Sequence, residues 1–287
     1  MTVAVPFVKM HGLGNDYVYV DVRASGFDLS RAGAFAKAVS PRRTSVGADG
    51  AIFIGPSAIA DARMHMYNAD GSRGRMCGNG ARCVARFVAE RWTGRDRVLI
   101  ETDAGLKEAS ILRDVLGATS GVALDMGAPE LSAAEIPCRG QGRTIDAPLP
   151  LAGCGGPLAP RITCVSMGNP HAVLFVEDPA TAPVLALGPE IGANPFFPEG
   201  VNVEFARVVG PDRIEMRVYE RGSGETAACG TGACAVVVAA VLTGRLQQGT
   251  PVAVHMPGGA ARVTWRADDR VVLEGPADVA FEGVVAF

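Results

Sequence analysis

The sequence predicts an α+β fold with two pseudo-symmetric halves, each a curled mixed or antiparallel sheet around a central helix. Three observations lead to this prediction: an internal repeat, many short strand-like runs, and two helix-length segments at equivalent places. The chain has 287 residues, of which 48% are hydrophobic and 20% charged, so it can bury a full core. Its 36 glycines and 19 prolines favour many short elements over a few long helices.

The internal repeat is the strongest sign of two halves. Residues 67–83 read YNADGSRGRMCGNGARC, and residues 219–234 read YERGSGETAACGTGAC. In each segment a cysteine follows the tyrosine by ten residues and precedes G-x-G-A, at an offset of 152 residues. The segments GNDYVYV at 14–20 and GNPHAVLFV at 168–176 repeat in the same order, at an offset of 154. The joint between the halves is predicted in the Gly/Pro-rich stretch 127–160.

Strands are predicted where four to eight consecutive residues are apolar or alternate between apolar and polar. These runs are 3–8, 17–22, 51–54, 63–67, 98–102, 122–126, 161–166, 172–177, 202–208, 213–219, 252–256, 261–265 and 270–274. Helices are predicted after the two repeated cysteines, from about Gly80 to Trp92 and from about Gly232 to Leu242. A Thr-Gly pair follows each helix as a stop signal. The second helix is apolar all round, so other elements must enclose it.

Composition and charge exclude several classes of function. A formal charge of −3 gives no reason to expect a nucleic-acid partner. The longest apolar run, 235–242, is too short for a membrane span, and the N-terminus lacks the basic region of a signal peptide. Seven cysteines, an odd number, argue against a disulfide framework and favour a cytoplasmic protein. The close cysteine pairs lack zinc-site spacing, so no metal is expected.

The repeated motifs place Cys77 and Cys229 at the start of a helix, beside a glycine-rich turn. The partial positive charge of a helix N-terminus is expected to lower a thiol pKa from its reference value of about 8.5. The free N–H groups of residues 78–80 and 230–232 can cradle an anion such as a carboxylate. Each motif therefore combines an acid–base group with a carboxylate site.

Pseudo-symmetry gives these two thiols a joint chemistry. If the halves face each other, a carboxylate held between the helix N-termini places an α-carbon between Cys77 and Cys229. One thiolate can remove the α-proton while the opposite thiol delivers a proton to the other face, which inverts the stereocentre without a cofactor. The surrounding N–H donors would stabilise the charge that develops on the carboxylate.

The sequence resembles the diaminopimelate epimerase family over nearly its whole length. The motifs that carry the resemblance are KMHGLGNDY (9–17), GADG (47–50), YNADGS with CGNGARC (67–83), GNPH (168–171), VNVEF (201–205) and YERGSGETAACGTGACA (219–235). The resemblance implies interconversion of LL- and meso-2,6-diaminopimelate, in lysine and peptidoglycan-precursor synthesis, without pyridoxal phosphate or any other cofactor. It also implies a possible homodimer, and a C-terminus (about 276–287) that joins the first half. The halves are then 1–126 and 127–275.

The resemblance also implies roles for individual residues. Cys77 and Cys229 are expected to be the proton-transfer thiols. The reacting carboxylate is expected to be held by Gly78, Asn79, Gly230 and Thr231, and the rest of the substrate, chiefly its distal end, by Asn15, Asn68, Asn169, Asn202 and Arg221. Glu220 is expected to accept the ammonium group of the reacting centre, and His171 and Glu220 to tune the thiol pKa values. Some family members carry a glutamine ligand at the position of Gly50, so that contact is absent here or supplied by water.

Simpler explanations and other functions stay open at this point. The asparagines are also typical of turns and caps, Glu220-Arg221 of a solvated surface pair, and GADG of a hairpin turn. The residues expected to be packing or loop cysteines are Cys83, Cys138, Cys154, Cys164 and Cys234. One alternative function is a related isomerase that acts on proline-type substrates. Another is an amino-acid-binding or redox-sensing protein in which the thiols are regulatory.

Overall fold

A computed structural model describes residues 3–151 and 159–287; Cys154 and the GCGGP segment lie outside the described residues. The described helices are α1 (Val22–Ser25), α2 (Ala32–Val39), α3 (Gly78–Val88), α4 (Val184–Gly192) and α5 (Gly230–Leu242). The described strands are β1 (Ala4–Gly12), β2 (Asn15–Asp21), β3 (Gly50–Gly55), β4 (Ala62–Asn68), β5 (Arg73–Gly74), β6 (Arg97–Thr102), β7 (Gly105–Arg113), β8 (Thr119–Gly127), β9 (Ala147–Pro148), β10 (Arg161–Ser166), β11 (Pro170–Phe175), β12 (Asn202–Gly210), β13 (Arg213–Glu220), β14 (Gly224–Thr226), β15 (Val252–Met256), β16 (Gly259–Trp265), β17 (Val271–Gly275) and β18 (Asp278–Ala286).

The chain divides into two compact units, each built largely from strands. Unit 1 contains Met1–Asp125 and Glu274–Phe287, and unit 2 contains Met126–Leu273. The α+β class predicted from the sequence is confirmed. No helix within residues 3–151 and 159–287 has both the length and the apolar composition needed to cross a membrane.

Unit 1 is a mixed sheet that encloses one helix. Strand β1 is antiparallel to β2 and β18, β2 is parallel to β3, and β3 is antiparallel to β4. Strand β4 runs parallel to β6, which continues through antiparallel β7 into β8. Helix α3 contacts β1, β2, β4, β6 and β7. Of its eleven residues only Arg86 is not buried, which is the environment of a helix surrounded by strands.

An aromatic cluster closes the side of unit 1 where α2 packs on β3. The ring centroid of Phe35 lies 5.6 Å from that of Phe53 and 5.2 Å from that of Phe287. Val3 and Phe287 exchange both backbone hydrogen bonds, which ties the end of β18 beside the start of β1. The C-terminal residues are therefore part of the core of unit 1.

Unit 2 repeats the same scheme of a sheet around a helix. Strand β10 is antiparallel to β9 and β11, β11 is parallel to β12, and β12 is antiparallel to β13. Strand β13 runs parallel to β15, which is antiparallel to β16. Helix α5 contacts β10, β11, β12, β13, β15 and β16, so its uniformly apolar segment 235–240 is completely buried.

The two predicted helices are confirmed, with small differences at their ends. Helices α3 and α5 each begin two residues before the predicted start, because the cysteine caps the helix and the glycine turn already has helical geometry. A π-helical turn, Ala89–Thr93, follows α3 and ends at Gly94, whose φ is 67°. The elements that the sequence did not predict are α1, α2, α4, β5, β7, β9, β14 and β18.

Gly50 begins β3 where that strand approaches β4 most closely. A Cβ atom built on Gly50 would lie 2.1 Å from the carbonyl oxygen of Tyr67 and 3.1 Å from the Cα of Asn68. Both contacts are with backbone, which cannot rotate away. No side chain fits here without a shift of β3 against β4. Steric exclusion therefore explains why this position is glycine.

We expect Gly50→Ala to lower the free energy of unfolding by at least about 2 kcal/mol, because it forces the two strands apart. Gly94→Ala is the control: it also alters a turn glycine, but its Cβ would meet nothing within 4 Å. Its expected cost is about 1 kcal/mol, the penalty for alanine in a left-handed conformation. Urea unfolding of both variants measures the difference. Equal costs would contradict the close approach of β3 and β4.

Candidate active site

The two repeated cysteines cap their helices with the same local geometry. Cys77 has φ −131° and ψ 126°, and its sulfur accepts the N–H of Gly80 at 3.5 Å. Cys229 has φ −128° and ψ 112°, and its sulfur accepts the N–H of Gly232 at 3.4 Å. Each thiol thus takes the place that serine or aspartate usually occupies at a helix start. The predicted position of both thiols at a helix N-terminus is confirmed.

In unit 1, Cys77 belongs to a hydrogen-bonded group with two of the predicted asparagines. Its thiol donates to Oδ1 of Asn15 at 3.1 Å, and Nδ2 of Asn79 donates to the same oxygen at 3.3 Å. Nδ2 of Asn15 donates to a carboxylate oxygen of Asp49 at 2.8 Å. Asp49 therefore fixes the orientation of the Asn15 amide, so that its oxygen faces the sulfur.

A fully buried arginine is hydrogen-bonded to the Asn79 amide of this group. Arg82 lies on α3, is 0% exposed, and donates to Oδ1 of Asn79 at 2.8 Å and to the carbonyl of Pro276 at 3.3 Å. With its oxygen held by Arg82, Asn79 must present its NH₂ group to Asn15. The sequence analysis missed Arg82 and Asp49, although both stand in the quoted motifs CGNGARC and GADG.

Asn68, a predicted substrate ligand in unit 1, lies outside this hydrogen-bonded group. Its Nδ2 donates to Oγ of Ser72 at 2.9 Å, and its backbone N–H donates to the carbonyl of Ser72. These bonds close the turn between β4 and β5, which is the structural role that asparagine often has. Its predicted role as a substrate ligand stays a prediction.

In unit 2, Cys229 is buried beside two carboxylates. Burial raises the pKa of the Cys229 thiol well above its usual value, and the negative charges of Glu220 and Glu204 raise it further. Hydrogen bonds from Thr231 and from the Gly232 N–H oppose this effect without overcoming it. The expectation that the helix N-terminus lowers this thiol pKa is therefore wrong for Cys229, because loss of water outweighs the helix dipole.

Glu220 is a mostly buried carboxylate, not the solvated half of a surface pair. It accepts a hydrogen bond from Oγ1 of Thr226, and burial raises its pKa above the usual value. The neighbouring Arg221 is exposed and instead bonds through its backbone N–H to Oδ1 of Asn202 at 2.9 Å. Nδ2 of Asn202 donates to the carbonyl of Pro170 at 3.0 Å, so this amide links three backbone segments.

His171 lies beneath the same motif and is bonded at both ring nitrogens. Nδ1 lies 2.6 Å from Oε1 of Glu204, and Nε2 lies 3.1 Å from Oδ1 of Asn169. His171 and Glu204 are both completely buried. The positive charge of His171 lowers the pKa of Glu220, opposing the effect of burial on that group. The structure thus brings Asn169, His171, Glu220 and Cys229 into one electrostatic group, and adds Glu204, which the sequence analysis did not single out.

No group of three or more His, Cys, Asp or Glu side chains among residues 3–151 and 159–287 is arranged to hold a metal ion. The remaining described cysteines are spread over both units. Cys83, Cys164 and Cys234 are buried, and Cys138 is half-buried.

Comparison with known proteins places the chain in a family. The family described as Diaminopimelate epimerase matches residues 7–132 and 163–280. The chain is 46% identical over 280 residues to the protein of that name from Geobacillus kaustophilus, covering 97% of this chain and 95% of the relative. It is 44% identical over 284 residues to the one from Bacillus cytotoxicus, covering 98% and 97%. This chain belongs to the diaminopimelate epimerase family. The resemblance noted from the motifs is confirmed.

Solved structures of lower identity share the fold of this diaminopimelate epimerase family member. A phenazine biosynthesis protein of the PhzF family from Bacillus anthracis matches with a TM-score of 0.70 and 17% identity, covering 98% of this chain and 99% of that one. A hydroxyproline epimerase from Agrobacterium vitis matches with a TM-score of 0.69 and 19% identity, covering 99% and 93%. At these identities the likeness is one of fold alone.

The raised pKa of Cys229 leads to a testable pH dependence. In the ligand-free protein this thiol is expected to stay protonated at neutral pH and to ionise only above its usual value of about 8.5. Glu220→Gln removes a nearby negative charge, so it should move the ionisation to lower pH. The measurement is the ultraviolet thiolate absorbance on a pH titration, as the difference between each protein and its Cys229→Ser counterpart.

Glu225→Gln is the matched control, because Glu225 lies on the adjacent strand β14 but pairs with Arg217 at 2.7 Å. It should leave the difference titration unchanged. Ionisation of Cys229 below pH 8 in the otherwise unaltered chain would contradict the buried environment described above.

Proposed function

We propose that this chain interconverts LL- and meso-2,6-diaminopimelate by proton transfer between two thiols, without a cofactor. The observation that carries the proposal is the pair of cysteine-capped helices with equal local geometry, in a chain that belongs to this family. We also propose that units 1 and 2 are the two duplicated halves, each contributing one such helix. Cys229 is held as a neutral thiol, whereas Cys77 belongs to a different hydrogen-bonded group. The two thiols are therefore given different roles in proton transfer.

The first turns of α3 and α5 supply the donors for the reacting carboxylate. In this proposal the N–H groups of Gly78, Asn79, Gly230 and Thr231 bind its oxygens. Helix N-termini favour anions, and these donors strengthen as charge builds on the carboxylate when the α-proton leaves. The donors need no rearrangement, because the cysteine caps already hold both turns in place.

Proton transfer then follows from the protonation of the two sulfurs. With Cys229 as the neutral thiol, Cys77 first loses to water the proton that its thiol donates to Asn15 in the ligand-free protein. The resulting Cys77 thiolate takes the α-proton on one face. Cys229 donates its proton to the opposite face of the same carbon, so the stereocentre inverts and the charge moves to the Cys229 sulfur. The reverse reaction exchanges the two roles. Glu220 contacts Cys229, and its carboxylate is the proposed acceptor for the substrate ammonium group. That positive charge would ease ionisation of Cys229.

The remaining predicted ligands would hold the distal end of the substrate. They are Asn15, Asn68, Asn169, Asn202 and Arg221. A second amino-acid end carries both a carboxylate and an ammonium group, which suits a set of amides with one arginine. A proline-type substrate lacks that second end, so it leaves this set without a ligand.

The test of the mechanism is isotope incorporation in D₂O. Inversion of diaminopimelate should place deuterium at the α-carbon. Cys77→Ala and Cys229→Ala should each lower the rate of inversion by about 100- to 10,000-fold, the usual range for loss of an acid–base group. Cys138→Ala is the control, because Cys138 is a half-buried cysteine outside both motifs. Full activity in either single variant of the pair would rule out the two-thiol mechanism.

A substrate panel separates this function from its alternatives. Diaminopimelate should be the substrate that turns over, and trans-4-hydroxyproline should not. Turnover of the cyclic amino acid alone would favour a proline-type isomerase. Tight binding of diaminopimelate without isotope exchange under reducing conditions would favour a binding or redox-sensing protein.

We further propose that the protein is a cytoplasmic homodimer with no nucleic-acid or membrane partner. Strand β18 supports an interface, since Phe281 and Val284 expose 47% and 67% of their surface. Sedimentation velocity should give twice the mass of one chain, and the Phe281→Asp, Val284→Asp double variant should shift the population toward monomer. A monomer at micromolar concentration in the unaltered protein would contradict the proposal.

A further inference from the structure

Glu204 is a buried carboxylate that the reaction described above does not use. It is the third residue of β12 and is 0% exposed. One oxygen, Oε1, lies 2.6 Å from Nδ1 of His171, while Oε2 has no hydrogen-bond partner within the described residues. A buried carboxyl group with one oxygen that makes no hydrogen bond is costly to the folded state. Its presence therefore needs a reason other than stability.

The carboxylate lies directly beneath the first turn of α5. A Cβ atom built on Gly232 would stand 2.8 Å from Oε1 of Glu204 and 3.3 Å from the sulfur of Cys229. The missing side chain at Gly232 thus makes room for both groups. The ionisable groups that face Glu204 here are His171, Glu220 and Cys229. This position couples Glu204 to the candidate active site through its closest partner, the imidazole.

The imidazole of His171 connects Glu204 to the side-chain amide of Asn169. Nδ1 of His171 faces Oε1 of Glu204, and Nε2 faces Oδ1 of Asn169, so each ring nitrogen has an oxygen as its partner. A ring that donates from both nitrogens satisfies both contacts. A doubly protonated ring beside a carboxylate holds the Asn169 oxygen inward and leaves its NH₂ group facing outward. A neutral ring would accept from that NH₂ group and turn the amide around.

We propose that Glu204 is a positioning residue: through His171 it holds the Asn169 amide with its NH₂ group available to a substrate carboxylate. The inference rests on the proposed function, because Asn169 is one of the proposed substrate ligands. Glu204 touches neither substrate nor reacting sulfur in this role. Its negative charge stabilises the ring form that selects one of two amide orientations.

The first test is Glu204→Gln, which keeps the shape and an acceptor but removes the charge. The amide of Asn169 should reverse and present its oxygen to the substrate carboxylate. KM for diaminopimelate should then rise about 10- to 100-fold, the loss expected for a charged hydrogen bond. The lost charge also lowers the pKa of Cys229, which acts on kcat, so KM is the constant that tests the positioning role. Glu215→Gln, on the neighbouring strand β13 and paired with the exposed Arg213, is the control and should change neither constant.

A double-mutant cycle shows whether Glu204 acts through Asn169. In an Asn169→Ala background, Glu204→Gln should raise KM no further, because the amide that it orients is gone. Additive effects on KM, or a fall in kcat with unchanged KM, would overturn the proposal and leave a packing role.

A measurement on the unaltered protein without substrate tests the positioning role separately from the proposed function. In ¹⁵N-labelled protein at pH 7, both ring nitrogens of His171 should show the shifts of a protonated imidazolium. A neutral ring overturns the positioning role whatever the substrate proves to be. An imidazolium in a protein that fails to epimerise diaminopimelate would leave the positioning geometry intact and reject the proposed function alone.

Discussion

The unpaired N–H groups at the starts of α3 and α5 are the constraint on which each motif depends. A helix enclosed by strands cannot give these donors to bulk water, so the chain must cap them or leave them for a ligand. One donor in each helix goes to the cysteine sulfur, at 3.5 Å in α3 and 3.4 Å in α5. The glycines beside them carry no side chain that could cover the remaining donors, so these N–H groups lie next to the thiol in each motif.

Each unit supports its cysteine motif with a buried charge, and the two charges have opposite sign. In unit 1, Arg82 orients Asn79, and through it the amide that meets the Cys77 thiol. In unit 2, Glu204 meets His171 and, through it, Asn169. Burying a charged group costs solvation free energy, which its hydrogen bonds must offset. Each charge therefore connects, directly or through an imidazole, to the amide of an asparagine that is predicted to bind substrate.

Much of the fold follows from local pattern, whereas the support of the site does not. Strong periodicity and the Thr-Gly stops located α3, α5 and most central strands. Helix α4 was missed because it is short and contains Pro189, and β18 because its apolar residues are largely exposed. Arg82 and Glu204 could not be assigned a role, since their bonds depend on strand register and on distant residues such as Pro276. The predicted direction of the Cys229 pKa shift was wrong for the same reason. The shift depends on burial beside Glu220, which no local motif reveals.

The route of the chain through unit 1 has a consequence for biosynthesis. Strand β18, which pairs with β1 along eight positions, is synthesised only after all of unit 2. Until then β1 has one open edge, and the aromatic cluster lacks the ring of Phe287. Unit 2 is continuous in sequence and can complete its own sheet first. The N-terminal part of the chain is therefore the last to complete its native contacts, which are those with β18. Such delayed, long-range pairing slows folding and leaves a strand edge exposed to other chains, which makes the nascent N-terminal segment a natural client for chaperones.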